Sequence, residues 1–345
     1  MSAPLTIKDA LRRIVAGGDL TEQQAHQTME LVMSGEATDA QIAGLLTALR
    51  IKGETVDEIT GAVRAMRDRV VPIALSADRI LDTCGTGGTG NHTFNISTAV
   101  AFVCAAAGAT VAKHGNRAVS SRVGSADVIE ALGIRIDLDA AAIVKCIEDL
   151  GVGFMFAPTH HTALRHAAPA RRQLGLRTIL NMLGPMTNPA GATHQLIGIY
   201  DHSRLETVAR VLGRLGSTRA LVVHGQDGLD EVTLGGATFA AALEDGQVRT
   251  LTITPEDFRI ERAPAAALKG GTRTYNAALI DGILAGRVSG PPADVVRLNA
   301  GCALWVAELT DTVEEGVAEA TKILASGAAH DKLEALAAMT QELGS

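Results

Sequence analysis

The stretch from Asp82 to Glu130 constrains this chain more than any other. Ile80-Leu81 starts an apolar strand that runs into Gly85-Thr86-Gly87-Gly88-Thr89-Gly90, a loop built only of glycine and threonine. The apolar run over residues 96–112 is too short, and too interrupted by Ser97, Thr98, Gly108 and Thr110, to span a bilayer. It reads as a buried helix followed by a buried strand around Thr110-Val111-Ala112. A second loop follows, KHGNRAVSSRVGSAD, again rich in glycine and polar residues. Strand, loop, helix, strand and loop make a unit of a parallel sheet covered by helices. Two such loops after neighbouring strands meet at the carboxyl edge of the sheet, where α/β proteins bind ligands.

The alternation continues with strand candidates over 153–156, 196–199 and 221–223. Ser203 with Glu206 is expected to open a helix whose core face is Leu205, Val208, Val211, Leu212 and Leu215. Asp245-Gly246 is a turn dipeptide between two strands, and Thr254-Pro255 begins another helix. The remainder is helical in pattern, with Thr312 and Glu315 as a capping box.

Before residue 72 the pattern is different. Thr21 with Gln24, Thr38 with Gln41 and Thr55 with Glu58 are three capping boxes, each followed by apolar residues at helical spacing such as Ile42, Leu45, Leu46 and Leu49. Helical signal stops at Val71-Pro72. The expected fold is therefore α/β: a small N-terminal helical domain over residues 1–72, and a larger α/β domain over 73–345 with a mainly parallel central sheet.

Composition narrows the function. Hydrophobic residues are 47% of the chain but aromatics only 3%, so the core must be built from Ala, Val, Leu and Ile. The formal net charge of −7 opposes a nucleic-acid surface, which needs clustered Lys and Arg. A locally basic pocket for a small anion remains open. Cys84, Cys104, Cys146 and Cys302 fit neither a zinc site nor a disulfide framework, and free thiols suit a reducing cytosol. The N-terminus has no signal-peptide pattern, so a cytoplasmic location is expected, with neither membrane nor nucleic acid as partner.

The two glycine loops suit phosphate. Backbone N–H groups can approach it closely, and the helix N-terminus adds positive potential. Gly85, Gly87 and Gly90 also satisfy GxGxxG, but the next strand ends in Lys113, where a dinucleotide site needs an acid. GxxxxGK[ST] is absent. Lys113, Arg117 and Arg122 supply charge in the second loop. Asn116, Ser120, Ser121 and Ser125 supply neutral hydrogen bonds, and Gly115 and Gly124 allow tight turns. Asp230-Glu231, after the strand ending at Val223-His224, could hold Mg²⁺ or be a solvated loop. His160 and His161 read as helix-start residues rather than a metal pair, since neighbours on a helix point ~100° apart. Arg165, Arg171, Arg172 and Arg177 crowd one segment, and any of them could grip a carboxylate in a bidentate fork. Gly184, Pro185 and Pro189 shape a turn or hinge.

Taken in order, GTGGTGNHTFNIST, KHGNRAVSSRVGSAD, RHAAPARRQLGLRTILNMLGPMTNPA and GLDEVT resemble the anthranilate phosphoribosyltransferase family over essentially the whole chain. The resemblance implies a helical domain hinged to a larger nucleoside phosphorylase/phosphoribosyltransferase-like α/β domain, joined in part by a segment near 165–190, and a homodimer formed through the helical domain. It implies transfer of phosphoribosyl from 5-phosphoribosyl 1-pyrophosphate to anthranilate, with Mg²⁺, in tryptophan synthesis. Gly85, Gly88, Thr89, Thr93, Asn95, Ile96, Ser97 and Thr98 would line the phosphoribosyl pyrophosphate site. Lys113, His114, Gly115, Asn116, Arg117, Ala118, Val119, Ser120 and Ser121, with Ser125, would complete it. Gly85, Asn116 and Arg171 would contact anthranilate, with His114 nearby; Ser97, Asp230 and Glu231 would serve the metal.

One departure stands out: the family commonly has Asp where this chain has Thr89, which removes a negative charge beside the pyrophosphate. No single acid or base is expected to be indispensable, because anthranilate's amine is neutral at pH 7; Lys113 would act electrostatically. A pyrimidine nucleoside phosphorylase would carry Lys and Ser just before the paired glycines, where this chain has Thr83-Cys84. A non-catalytic nucleic-acid-binding relative is opposed by the charge.

Overall fold

The computed structural model describes residues 5–87, 92–118 and 123–344. The candidate contacts Gly88, Thr89, Val119, Ser120 and Ser121 lie outside them, as does Arg122.

Four helices open the chain: α1 (Ile7–Val15), α2 (Glu22–Met33), α3 (Asp39–Lys52) and α4 (Val56–Arg67). All three expected capping boxes form, and Thr6 with Asp9 makes a fourth. In each, threonine accepts the N–H three residues on while that residue's side chain accepts the threonine N–H, which stabilises a helix start by about 1 kcal/mol.

Among the described residues, seven strands form one sheet: β1 (Leu81–Gly85), β2 (Val111–Gly115), β3 (Val152–Phe156), β4 (His194–Gly198), β5 (Arg219–Gly225), β6 (Thr238–Glu244) and β7 (Gln247–Ile253). Their order is β3-β2-β1-β4-β5-β6-β7. The first five are parallel; β6 and β7 are an antiparallel hairpin whose turn, Asp245-Gly246, takes φ of 49° and 73°. The chain leaves β1 toward β2 on one side and returns as β4 on the other. The strand order therefore reverses direction between β1 and β4, the position at which α/β sheets bind ligands. Helix α5 (Ile96–Ala106) is buried on nearly every side, which explains its continuous apolar sequence.

Several local expectations are corrected. Ser203 does not cap a helix: Asp201 accepts both its N–H (3.1 Å) and its hydroxyl (2.6 Å), a 3₁₀ turn forms over His202–Arg204, and the α-helix starts at Leu205. Thr312 accepts the Glu315 N–H, but the Glu315 carboxylate reaches Asp311, leaving half a box. Thr254-Pro255 begins only a short 3₁₀ turn, Pro255–Phe258, capped by Arg259 at φ 56°. His160 ends a short helix, Ala157–His160, because Pro158 begins it earlier.

The two parts of the chain share apolar surface. Ile42, Leu46, Ile59 and Val63 of the helical part belong to one buried cluster with Leu205, Val208 and Leu212 of the following helix and Ala220, Val222 and Ala241 of the sheet. Where the chain crosses between the parts, the Val71 N–H reaches the His160 carbonyl (3.1 Å), His160 Nδ1 donates back to the Val71 carbonyl (2.9 Å), and the Ile73 N–H reaches the Pro189 carbonyl (3.0 Å). Arg67 of α4 donates to the carbonyls of Met186 and Leu215, both at 3.0 Å. All four cysteines are free and buried. Among the described residues, no helix is long and apolar enough to cross a membrane.

Candidate active site

At the carboxyl ends of β1 and β4 the loops are held together largely through backbone. The Thr86 N–H donates to the Gly198 carbonyl (2.9 Å), and Thr86 Oγ1 accepts the Tyr200 N–H (3.0 Å), so the first glycine loop is stitched to the end of β4. Asp230, in the loop after β5, lies over both strands and accepts the Gly87 N–H (2.7 Å). Only glycine permits this approach. A Cβ on Gly198 would stand 1.6 Å from the Asp230 carbonyl oxygen, and one on Gly85 would stand 2.7 Å from its carboxylate.

Charge converges at the start of α5. Lys113 is almost wholly buried and lies mid-strand, because β2 runs on to Gly115 rather than ending in Lys113; its Nζ donates to the Thr83 carbonyl (2.5 Å) and lies 3.4 Å from Ser97 Oγ. Burial pulls its pKa down, while Asp82, Cys84 and Glu231 oppose that. The Ser97 backbone N–H at the helix N-terminus favours the charged form of the Glu231 carboxylate. Its pKa is pushed up to about 8, by burial first and by Asp230 second. Asp230 is also raised, by burial. Asp230 and Glu231 are thus two crowded, desolvated carboxylates, an arrangement that a divalent cation with oxygen ligands relieves. The described His, Cys, Asp and Glu side chains close enough in threes to share an ion are His330, Asp331 and Glu334, on the last helix and not on these loops.

The neighbouring predicted residues divide by where they point. Asn95 sits at the N-cap of α5 without a side-chain capping bond; its Oδ1 accepts from Asn276 (3.1 Å) and its Nδ2 donates to the Val123 carbonyl (3.4 Å). Thr93 pairs with Lys269 in an isolated bridge. Ile96 turns its side chain into the core, so it can offer a ligand only backbone; Thr98 is fully buried, and its Oγ1 has no partner among the described residues. In the second loop, Ser125 Oγ accepts the Asn116 N–H (3.2 Å) and Asn116 Oδ1 accepts the Arg117 N–H (2.7 Å). Asp127 closes the loop by accepting the N–H groups of Ala118 (3.3 Å) and Gly124 (2.8 Å). Gly115 and Gly124 serve close approach, not turn conformation: a Cβ would stand 2.3 Å from Ser125 Oγ at the first and 2.4 Å from the Ala118 nitrogen at the second. The Arg117 guanidinium is already engaged by Asp127 (2.9 Å) and Glu130 (2.6 Å). Its charge is thereby offset.

Of the crowded arginines, Arg165 and Arg172 are exposed. Arg171 is half-buried on the helix Ala168–Leu174, and burial alone lowers its pKa, with no carboxylate among the described residues close enough to act on it. Arg177 stacks 4.4 Å above the Tyr200 ring, and its charge reaches Asp230. His114 and His161 sit with ring centres 5.0 Å apart. Burial holds His114 well below the usual imidazole range, and His161 is pushed down to about 4 by burial first and His160 second.

Three supporting residues escaped the sequence reading. Asp82, fully buried on β1, accepts from Asn188 (2.8 Å) and from the His114 N–H (3.2 Å). Asn188 also donates to the Ala112 carbonyl (2.9 Å), tying the returning segment to the strand that carries Lys113. Asn299, fully buried, hydrogen-bonds the backbone of Val232 beside the carboxylate pair. A lone polar residue inside an apolar strand or helix was the available signal for Asp82 and Asn299.

Known proteins share this architecture. Residues 8–70 match the glycosyl transferase family helical bundle domain, and residues 77–330 match the glycosyl transferase family a/b domain. Curated relatives named anthranilate phosphoribosyltransferase include one from Moorella thermoacetica, 53% identical over 97% of this chain and 98% of that protein. One from Symbiobacterium thermophilum is 52% identical over 98% of each. The crystal structure of anthranilate phosphoribosyltransferase from Thermus thermophilus superposes with a TM-score of 0.91 at 44% identity, covering 96% of this chain and 99% of that one. The Saccharomyces cerevisiae enzyme, solved in complex with PRPP and Mg, shares the fold at a TM-score of 0.88 and 24% identity, over 97% and 98% of the two chains. Likeness of this extent, through both domains and to relatives of one name, is membership: the chain belongs to the anthranilate phosphoribosyltransferase family.

Proposed function

We propose that the chain transfers the phosphoribosyl group from 5-phosphoribosyl 1-pyrophosphate to the amine of anthranilate, releasing pyrophosphate, as a step of tryptophan biosynthesis. The observation that carries this reading is the meeting of Lys113, Ser97 and Glu231 at the start of α5, beneath Asp230 and the glycine loop. The phosphoribosyl pyrophosphate fits over the α5 N-terminus. There Gly85, Ser97 and Lys113 face it, with Asn116 and the second loop at its flank. Ser97, Asp230 and Glu231 are the donors for magnesium. When bound, magnesium neutralises charge on the departing pyrophosphate.

Lys113 adds a fixed positive charge in a dry site, where it acts strongly on an oxyanion as the C1–O bond lengthens. The amine of anthranilate is neutral and needs no strong base. Arg171, desolvated and lacking a carboxylate partner among the described residues, suits the anthranilate carboxylate. Asn116 and Gly85 then set the distance between amine and C1.

The exposed apolar residues Val15, Ile51 and Leu176 on the helical side support a homodimer formed there, and free buried cysteines support a cytoplasmic location. Anthranilate fluorescence tests the activity. Loss of signal should require protein, phosphoribosyl pyrophosphate and Mg²⁺ together. Unchanged fluorescence with no pyrophosphate released would overturn the reading.

A further inference from the structure

The proposed metal site requires two neighbouring carboxylates to be held together, yet residues 226–237, the loop that carries them, contain neither strand nor helix. Part of the loop is tied to itself. The Gly225 N–H reaches the Leu229 carbonyl (2.7 Å), and the Thr233 hydroxyl donates to Asp227 (2.7 Å). The residue directly after Glu231 is fastened from outside. Asn299, on the helix Pro291–Val306, accepts the Val232 N–H at Oδ1 (2.9 Å) and donates from Nδ2 to the Val232 carbonyl (2.8 Å). Its second amide hydrogen goes to the Val295 carbonyl, one turn back on its own helix (2.8 Å).

A primary amide presents donor and acceptor on one planar fork, which is what a buried backbone unit in a loop lacks. The bond to Val295 fixes which way the amide faces, so the fork cannot flip. We propose that Asn299 is a positioning residue for the Asp230–Glu231 pair: by clamping Val232 it sets where those carboxylates present their oxygens, and so controls the affinity for the divalent cation. The inference rests on the function proposed above. Asn299 itself touches no substrate.

The test uses the full chain with Asn299→Asp and Asn299→Ser. Asp keeps the shape but offers no donor to the two carbonyls; Ser leaves room for a bridging water and guards against misfolding of the first variant. Leu298→Ala, buried in the main core on the same helix, is the comparison for general destabilisation. Rates are measured against Mg²⁺. Mn²⁺ binding is followed by electron paramagnetic resonance with phosphoribosyl pyrophosphate present and anthranilate absent. Both Asn299 variants should need roughly 10–100-fold more of either metal. Their kcat should recover at saturating Mg²⁺, and the KM for anthranilate should stay at the parental value. Leu298→Ala should lower the Tm and leave both metal curves in place. Parental metal curves in a folded Asn299 variant, or an equal shift in Leu298→Ala, would overturn the clamp and leave the function standing. A parent that neither binds Mn²⁺ nor consumes anthranilate would overturn both.

Discussion

Replacing Gly198 by alanine isolates the placement of Asp230 from its chemistry. The added methyl carbon would stand 1.6 Å from the Asp230 carbonyl oxygen, whereas ordinary contact begins at 3.4 Å, so the loop must retreat by the difference, 1.8 Å. The obstacle is backbone on both sides and cannot rotate away. Displacing a catalytic group by about 1 Å can cost on the order of 100-fold, so Gly198→Ala should lose at least about 100-fold in kcat/KM for phosphoribosyl pyrophosphate. Gly85→Ala should require less of the loop, because its methyl would meet the end of a side chain at 2.7 Å. β4 is central and parallel-paired on both sides, so the sheet should survive either change. Initial rates across a Mg²⁺ series, with circular dichroism for folding, decide the matter. A folded Gly198→Ala with parental kcat/KM would refute the reasoning that this close approach sets the site.

Arg171→Ala should raise the KM for anthranilate by roughly 10–150-fold, the worth of one charge-assisted hydrogen bond, and hardly change that for phosphoribosyl pyrophosphate; an unchanged anthranilate KM removes Arg171 from the site. His161 predicts part of the acid response. Its folded pKa is depressed from 6.5 to about 4, so the unfolded chain binds the proton first. Stability present above pH 6.5 is therefore lost as pH falls toward 4, by as much as roughly 3 kcal/mol. His161→Gln should flatten denaturant-midpoint measurements over that window; an unaltered slope would mean that another group titrates there.

Legibility in the sequence followed the range of the interaction. The capping boxes of α2, α3 and α4 were readable because both partners lie three residues apart. The strand–loop–helix order was readable for the same reason. Competition between nearby caps was not: Asp201 takes the Ser203 N–H and hydroxyl, and no spacing rule ranks Asp201 over Ser203. The role of Arg117 was hidden by its partner Glu130, thirteen residues on. Asn299 and Val232, sixty-seven residues apart, meet only because the sheet and its covering helices bring them together. Ser97, Asp230 and Glu231 were placed by resemblance to a family; in the fold the Ser97 N–H acts on Glu231, while Asp230 meets Gly87 beside the ends of β1 and β4.

The apolar cluster shared by the helical part and the sheet has a consequence for recombination. In sequence the two family segments look like exchangeable blocks, cut between residues 70 and 77. Physically, α4 rests on the helix that begins at Leu205, and Arg67 reads carbonyls at Met186 and Leu215. A chimera that imports only the first seventy residues from a relative inherits half of that contact and leaves mismatched methyl groups on the other half. Grafts that carry the return segment and the facing helix with the bundle should be soluble where the simple exchange is not. Inheritance in this chain is therefore joint across a boundary that the sequence draws as a clean one.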